Sequence, residues 1–239
     1  METVFYITGS SRGIGKALAE LALNIEDAIV FGISRKKTIS HKRYTHITTD
    51  LSNIENLTKF EPPLLANAKK VILVNNAGML GEVAQYGKLA SNTIAKTHTL
   101  NAIAPAILTN WIISRYSHTA SQIVILNISS GAARYPVEGW GNYCSSKASV
   151  DMLTKVIALE NNNDKIKTFA VAPGIVDTQM QKEIRDTKQE NFPDLSRFIG
   201  YKENKQLSNV TEVAEMLMRI VNNPHSYKEA ILDVRKLFD

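Results

Sequence analysis

The sequence has a single cysteine, Cys144, among its 239 residues, so no disulfide can form within the chain. A lone thiol is typical of proteins that work in a reducing compartment. The five histidines are dispersed and have no cysteine partners, unlike the closely spaced ligands of a zinc site. No metal site is therefore predicted.

Long apolar runs are also missing, and none approaches the roughly 18 residues that a membrane-spanning helix needs. The first residues pass directly into an apolar segment, without the basic region and apolar stretch of a signal peptide. We therefore expect a cytoplasmic protein that does not bind membranes.

Charge of one sign is concentrated only in one short basic cluster, Arg35-Lys36-Lys37. The net charge of +5 comes from basic residues that are scattered and form no stripe with interleaved aromatic residues. Nucleic-acid binding is therefore the weakest functional hypothesis, and a solvated basic surface is the simpler interpretation.

What the chain does contain is an alternation of apolar, strand-like segments with helical ones. The predicted strands are 4–8, 28–34, 44–49, 70–75, 122–128, 167–171 and 229–234, and the predicted helices are 14–23, 53–60, 92–116, 141–159 and 211–221. This alternation predicts one α/β domain over residues 1–239, with helices on both faces of a parallel sheet. Such sheets bind ligands at the carboxyl ends of their strands, where the strand order reverses.

Residues 178–207 lie outside this alternation and are rich in charge, but they also contain Phe192, Phe198 and Tyr201. A segment of this length inside a compact domain is usually functional or mobile. We interpret it as a substrate lid, with a surface helical hairpin as the alternative.

A glycine-rich turn, TGSSRGIG over residues 8–15, joins the first predicted strand to the first helix. Gly9, Gly13 and Gly15 allow a sharp turn and a close approach of the backbone to a pyrophosphate. The helix that follows offers free N–H groups and the positive end of its dipole to phosphates. The turn therefore predicts a dinucleotide site, with a plain tight turn as the alternative.

The second predicted strand ends at Ser34 and Arg35, with no acidic residue nearby. Sites for NAD place an Asp or Glu here for the ribose 2′-hydroxyl, whereas an Arg suits a 2′-phosphate. Arg35, together with Arg12 of the glycine turn, therefore predicts NADPH. The neighbouring Lys36 and Lys37 are explained equally well as solvated side chains.

Tyr143 and Lys147 are four residues apart in a predicted helix and so share one of its faces. A nearby ammonium favours the phenolate and brings the tyrosine pKa, about 10 when free, closer to neutrality. Ser130 follows the fifth predicted strand and could donate to a substrate carbonyl while Tyr143 supplies a proton. A capping role is the alternative for Ser130.

Taken together, these motifs resemble the classical short-chain dehydrogenase/reductase family over essentially the whole chain. The resemblance rests on Thr8-Gly9-x-x-x-Gly13-x-Gly15, Asn75-Asn76-Ala77-Gly78, Asn101, Ser130, Tyr143-x-x-x-Lys147 and Pro173-Gly174. It implies a Rossmann-type, doubly wound parallel sheet of about seven strands. It also implies a catalytic tetrad in which Ser130 orients the carbonyl, Tyr143 protonates it, Lys147 lowers the tyrosine pKa and binds the nicotinamide ribose, and Asn101 holds a water that relays protons.

The resemblance also implies which residues bind NADP(H). They are Gly9, Ser11, Arg12, Gly13, Ile14, Gly15, Ser34, Arg35, Asp50, Leu51, Asn76, Ala77, Gly78, Tyr143, Lys147, Pro173, Gly174, Val176 and Thr178. The turn at residues 75–78 could instead serve partly to brace the sheet.

Three segments, 127–133, 139–144 and 173–181, are similar to the sepiapterin and benzil reductase branch of the family. The branch implies an NADPH-dependent carbonyl reductase that acts on small dicarbonyls or aromatic ketones. Ser130, Trp140, Tyr143 and Met180 are expected to face the substrate. Asp233 lies near the position of the aspartate that anchors the pterin in sepiapterin reductases, with a structural role at the end of the last strand as the alternative.

Two other functions stay open, an NAD-dependent alcohol dehydrogenase of the same family and a non-catalytic cofactor-sensing protein. The complete tetrad favours the enzymes, because a sensor would not need Ser130, Tyr143 and Lys147 together. Members of the family are commonly dimers or tetramers, so we expect a homo-oligomer built on the long helices near 102–116 and 141–159.

Overall fold

The computed structural model describes residues 2–161 and 164–237, so residues 1, 162, 163, 238 and 239 of the predicted domain lie outside it. Seven strands of the described chain form one sheet, namely β1 (Thr3–Thr8), β2 (Ala28–Ser34), β3 (Tyr44–Thr48), β4 (Lys70–Asn75), β5 (Gln122–Ile128), β6 (Ile166–Ala172) and β7 (Ile231–Asp233). All neighbouring pairs are parallel, in the order β3-β2-β1-β4-β5-β6-β7. The strand order therefore reverses between β1 and β4. The predicted Rossmann-type sheet is confirmed.

The helices cover both faces of this sheet. They are α1 (Gly13–Leu23), α2 (Ile54–Thr58), α3 (Ser91–His98), α4 (Ala104–Tyr116), α5 (Gly141–Glu160), α6 (Gln179–Arg185), α7 (Leu195–Glu203), α8 (Val210–Asn222) and α9 (Val234–Leu237).

Two hydrophobic cores form because successive side chains of a strand point to opposite faces of the sheet. In β1, Phe5 and Ile7 join the core under α1 and α8, whereas Val4 and Tyr6 join the core under α4. All four side chains are at most 1% exposed, so both faces of the central strand are fully covered. This double burial explains why the strands are continuously apolar in sequence.

The helix predicted over 92–116 is interrupted by a π turn at Thr99–Ile103, which separates α3 from α4. Pro105, in the first turn of α4, has no N–H for the carbonyl of Asn101 four residues earlier. The regular helical ladder cannot continue through this point, and the backbone widens there. Such π turns often occur at functional sites, and this one contains Asn101.

The last strand is shorter than the predicted 229–234, because Val234 already begins α9. The Asp233 carboxylate accepts a hydrogen bond from the backbone N–H of Arg235 at 3.1 Å, which turns the chain into the helix.

The segment 178–207 folds into α6, a short 3-10 turn at Gln189–Asn191, and α7. Its two ends are joined by an isolated parallel bridge beyond the end of β6, where Ser208 N–H donates to the Ile175 carbonyl at 2.8 Å and Asp177 N–H donates to the Ser208 carbonyl at 3.0 Å. Its helical form agrees with the hairpin alternative, while its motion as a lid stays a prediction.

Gly32 of β2 leaves room for the Tyr44 ring from β3, whose hydroxyl lies 3.0 Å from Ser10 Oγ in the glycine turn. A Cβ at Gly32 would lie 1.9 Å from the Tyr44 hydroxyl oxygen and 2.4 Å from its ring carbon Cζ. We therefore expect Gly32→Ala to lower the free energy of unfolding by about 1–3 kcal/mol, through overpacking. Urea denaturation measures this loss. Gly131→Ala is the control, because its Cβ would meet no atom within 4 Å; equal losses in both variants would contradict the steric explanation.

Candidate active site

One cavity of about 1120 Å³ opens at the carboxyl ends of the central strands. Its wall contains residues that follow β1, β2, β4, β5 and β6, together with the start of α5 and parts of the 178–207 segment. It therefore lies at the reversal of strand order, where doubly wound sheets bind their ligands. Of the predicted site residues, Gly15 and Asn101 do not line this cavity, and all the others do.

The glycine turn is held in place by Asn76, which follows β4. The Asn76 side-chain amide donates to the carbonyls of Thr8 and Gly9 at 3.0 and 3.3 Å. A Cβ at Gly9 or Gly15 would lie 2.7 or 2.3 Å from this same amide nitrogen. Gly15 is therefore required for packing against Asn76, and Gly9, with a φ of +68°, is required also for the turn.

Thr8 completes this junction between β1 and β4. Its hydroxyl oxygen accepts hydrogen bonds from the backbone N–H groups of Asn76 and Ala77, both at 2.9 Å. Residues 75–78 thus brace the sheet, which was the alternative for this turn, and Asn76, Ala77 and Gly78 also line the cavity.

The end of the cavity beside the glycine turn and the carboxyl end of β2 contains two arginines. Arg12 and Arg35 line it with exposed side chains, and Ser34 at the end of β2 lies beside them. Asp50, an acidic residue on this wall, accepts hydrogen bonds from the hydroxyl and backbone N–H of Ser52, and these lower its pKa against the opposing effect of burial. The shape left by the glycines and this pair of guanidinium groups fit the diphosphate and ribose end of a dinucleotide.

Ser130 and Tyr143 meet at the inner wall of the cavity. Ser130 has extended backbone dihedrals after the end of β5, and its Oγ accepts from Ala132 N–H at 3.2 Å, as the capping alternative expects. Its role toward a substrate stays a prediction. The Ser130 hydroxyl lies near the Tyr143 phenol and opposes the rise in the Tyr143 pKa that burial causes. A carbonyl oxygen placed between the two hydroxyl groups would receive two donors.

Lys147 lies one helical turn further along α5, on the same face as Tyr143. Its side chain is buried, and Nζ donates to the Ile128 carbonyl at 2.7 Å. Nζ lies 5.8 Å from the centre of the Tyr143 ring. Burial lowers the pKa of Lys147 to about 8, while the nearby Asp151 opposes this shift.

The structure differs here from the expectation that Lys147 lowers the pKa of Tyr143. Burial raises the pKa of Tyr143 to about 12, because the low-dielectric surroundings disfavour the phenolate. The Lys147 ammonium, whose Nζ donates to the Ile128 carbonyl, does not reverse this effect. Tyr143 is therefore held protonated, as a proton donor to a substrate oxygen must be.

Asn101 is fully buried behind the other three residues of the predicted tetrad and does not line the cavity. Its side chain accepts from Met79 N–H at 2.9 Å, and donates to the Met79 carbonyl at 2.8 Å and to Ser146 Oγ at 3.0 Å. A Cβ on Gly78 would lie 3.4 Å from Asn101 Oδ1 and 3.6 Å from Lys147 Nζ. Asn101 thus connects the segment after β4 to α5, next to the lysine.

The outer wall of the cavity is aromatic and belongs largely to the 178–207 segment. Trp140 lines the cavity but is only 6% exposed, because it stacks on Phe192 at 5.2 Å and contacts Phe198 and Tyr143 at 5.2 and 5.7 Å between ring centres. Met180 lines the cavity and packs against the same cluster. Trp140 therefore supports Tyr143 from behind and offers a small surface to a ligand.

Asp233 does not line the cavity, whereas Arg235 does. Both carboxylate oxygens of Asp233 are engaged by the Arg235 guanidinium, at 3.0 and 2.6 Å, and this pairing lowers the Asp233 pKa. The alternative of a structural role for Asp233 fits these contacts. Sequence reasoning missed Arg235 and also the exposed Tyr135 on the cavity wall, because neither belongs to a motif.

Within the described residues, three His, Cys, Asp or Glu side chains nowhere come close enough together to hold a metal ion. Over that same part of the chain, every helix is too short or too polar to cross a membrane.

Comparison with known proteins agrees with this site. The sequence profile of the short chain dehydrogenase family matches residues 3–189. The chain is 32% identical over 226 residues to a benzil reductase ((S)-benzoin forming) of Bacillus subtilis, covering 91% of this chain and 93% of that protein. It is 32% identical over 210 residues to a sepiapterin reductase of Rattus norvegicus, covering 78% and 79% of the two chains.

Among solved structures, a short chain dehydrogenase/reductase from Saccharomyces cerevisiae superposes with a TM-score of 0.81 at 25% identity. The superposition covers 98% of this chain and 96% of the yeast chain. The similarity in fold therefore extends over almost the whole chain.

Because the ammonium of Lys147 is buried, we expect the folded protein to be less stable than it would be with an apolar side chain at this position. The pKa of Lys147 is about 8 in the folded protein and near 10.5 ordinarily, so between these values the unfolded chain binds more protons and stability rises with pH. Below about pH 8 the full cost of burying the charge is present. We expect Lys147→Met to raise the free energy of unfolding at pH 7 by about 1–3 kcal/mol, and by less at about pH 9.5.

Urea denaturation at both pH values measures this gain. The exposed Lys37, changed to Met, is the control and should show no dependence of this kind. A Lys147→Met protein that is less stable than the wild type by the same amount at both pH values would refute the burial cost.

Proposed function

The chain belongs to the short chain dehydrogenase family, and on that basis we propose that it is an NADPH-dependent carbonyl reductase for small dicarbonyls or aromatic ketones. The observation that carries the proposal is the pair of neighbouring hydroxyls of Ser130 and Tyr143, on the wall of the same cavity as the glycine turn and beside buried Lys147. Such an arrangement suits the transfer of a hydride to a carbonyl carbon with a proton to its oxygen.

In this proposal the reduced nicotinamide supplies the hydride, and the residues of the chain hold and protonate the substrate. Ser130 donates to the carbonyl oxygen and orients it, while Tyr143 gives its phenolic proton as that oxygen becomes negative. The charge of Lys147 stabilises the phenolate that remains, and the proton is then replaced from solvent through groups near Asn101. The glycine turn and Asn76 position the diphosphate.

The choice of NADPH over NADH is supported by Arg12 and Arg35 at the basic end of the cavity. A guanidinium binds a phosphate through two parallel hydrogen bonds, which a 2′-hydroxyl cannot replace. Asp50, an acid that follows β3 on this wall, is already held by Ser52 and would not compete for the ribose 2′ position.

The substrate class is supported by the wall and by the relatives. Met180, Phe198 and the edge of Trp140 give an apolar wall near Tyr143, and Tyr135 is 71% exposed at the cavity wall. Two of the relatives are named for reduction of benzil and sepiapterin. We favour a dicarbonyl over a pterin, because the Asp233 carboxylate is occupied by Arg235 and is not free to accept hydrogen bonds from a pterin.

Two further features belong to the proposal. We infer that the 178–207 segment closes over the substrate, since its aromatic residues contact Trp140 and its ends are joined by a parallel bridge beyond β6. We also infer a homo-oligomer, because α5 exposes Met152, Val156 and Leu159 at helical spacing on one side. A cytoplasmic location is consistent with the free thiol of Cys144.

A panel of carbonyl compounds tests the function, with oxidation of NADPH followed by absorbance. Diacetyl, benzil, isatin and sepiapterin form the panel, and we expect benzil-like compounds to be reduced best. Tyr143→Phe should lower kcat by about a thousandfold or more while NADPH still binds, because only the proton donor is lost. If no compound is reduced, or if the Phe variant keeps more than a few per cent of the activity, the proposed reaction is wrong.

Fluorescence titration of the two cofactors tests the role of the arginines. NADPH should bind at least about tenfold tighter than NADH, a difference of roughly 1.4 kcal/mol, and Arg35→Ala should erode that preference. Lys37→Ala is the matched control, since Lys37 is exposed and absent from the cavity wall. Equal affinities for both cofactors would instead favour the NAD-dependent alcohol dehydrogenase.

A further inference from the structure

A buried carboxylate lies directly behind the catalytic residues. Asp151 is one helical turn beyond Lys147 on α5 and is only 6% exposed. Its Oδ1 accepts a hydrogen bond from the Ser129 hydroxyl, and its Oδ2 accepts from Arg134 Nε at 3.0 Å. A buried carboxylate is tolerated only when it is paired in this way, and here the partners come from outside the helix.

The first partner, Ser129, directly precedes Ser130 at the end of β5. Its backbone N–H donates to the Val171 carbonyl at 2.9 Å, so both its backbone and its side chain are held. Because the backbone is extended at Ser130, the two neighbouring side chains point in opposite directions. The bond from Ser129 to Asp151 therefore determines how Ser130 is aimed at Tyr143.

The second partner, Arg134, lies at the other end of the short turn Gly131–Ala133 that follows Ser130. Its guanidinium also donates to the Leu232 carbonyl at 3.4 Å, at the end of β7. Asp151 thus ties both ends of the loop that carries Ser130 to α5, the helix that carries Tyr143 and Lys147.

We propose that Asp151 is a positioning residue for carbonyl reduction, whose carboxylate holds the Ser130 loop against α5 and supplies the negative charge that Lys147 faces. The inference rests on the proposed function, because it concerns the geometry of that reaction. No substrate contact is required of Asp151, which does not line the cavity.

The electrostatic part of this role follows from the surroundings of Lys147. Burial lowers the pKa of Lys147, and Asp151 is the charged group that opposes this. The other titratable groups near the two residues are Tyr143 and Cys144 on α5, Arg134 from the Ser130 loop, and Asp233 and Arg235 beyond it at the end of β7. Removing the Asp151 charge therefore leaves the effect of burial on the Lys147 pKa unopposed.

Asp151→Asn and Ser129→Ala separate the two parts of the role. Asp151→Asn removes the charge and should lower kcat by about tenfold or more, change the carbonyl KM by less than about threefold, and move the alkaline fall of kcat/KM to lower pH. Ser129→Ala removes the bond but keeps the charge, so it should lower kcat without moving that fall. Asp164→Asn is the control, because Asp164 is 94% exposed in its side chain and pairs with Lys167 away from the cavity.

A measurement without turnover separates this proposal from the proposed function. In protein labelled with ¹³C-lysine, the Lys147 signal, assigned by its loss in Lys147→Met, should titrate at lower pH in Asp151→Asn than in wild type. If wild type reduces no carbonyl but this shift occurs, the proposed function fails and the electrostatic role of Asp151 stands.

Two results would overturn the proposal. One is an Asp151→Asn enzyme with kcat within about twofold of wild type and an unchanged pH profile, which would make Asp151 a packing residue. The other is an unchanged Lys147 titration in a folded variant, as judged by its melting temperature. Should Asp151→Asn fail to fold, an unaltered kcat in Ser129→Ala would by itself exclude the positioning of Ser130.

Discussion

The contact between Asn76 and the glycine turn joins the ends of β1 and β4, and the cavity depends on it. The amide of Asn76 occupies the space that side chains at Gly9 and Gly15 would fill, and it donates to the carbonyls of Thr8 and Gly9. The hydroxyl of Thr8 in turn accepts the backbone N–H groups of Asn76 and Ala77. Because both strands are buried from their second residue to their carboxyl ends, this edge has little room to relax, and the N-terminus of α1 is held open toward the cavity.

The helix α5 differs from the glycine turn. The glycine turn requires the absence of side chains, whereas α5 must bury charged side chains. Lys147 and Asp151 are both buried on this helix. Among the contacts of the described residues, no hydrogen bond joins the two side chains directly. The lysine bonds a backbone carbonyl and the aspartate bonds Ser129 and Arg134. The site therefore holds the Lys147 ammonium in surroundings of low dielectric constant. This lowers the stability of the folded protein, and the role of the lysine in the site explains why the cost is accepted.

The outer half of the cavity depends on aromatic packing rather than on hydrogen bonds. Trp140 stacks on Phe192 and contacts Phe198, so the first residues before α5 and the 178–207 segment share one small core. A movement of that segment would displace Trp140 and therefore Tyr143, because the two rings pack edge to face. Near this half of the cavity, Arg235 neutralises Asp233. The Asp233 carboxylate is therefore not free to accept hydrogen bonds from a ligand.

The sequence by itself was enough to determine the sheet, the glycine turn and the Ser130, Tyr143 and Lys147 set. These follow from local patterns, namely apolar alternation, glycine at sharp turns and a four-residue helical spacing. Tertiary structure alone decided the pKa of Tyr143 and the pairing of Asp233 with Arg235, and it alone brought Asp151 to Ser129. Burial and contacts between distant segments set these properties, and no spacing along the chain reports how deeply a side chain is buried or which partner reaches it first.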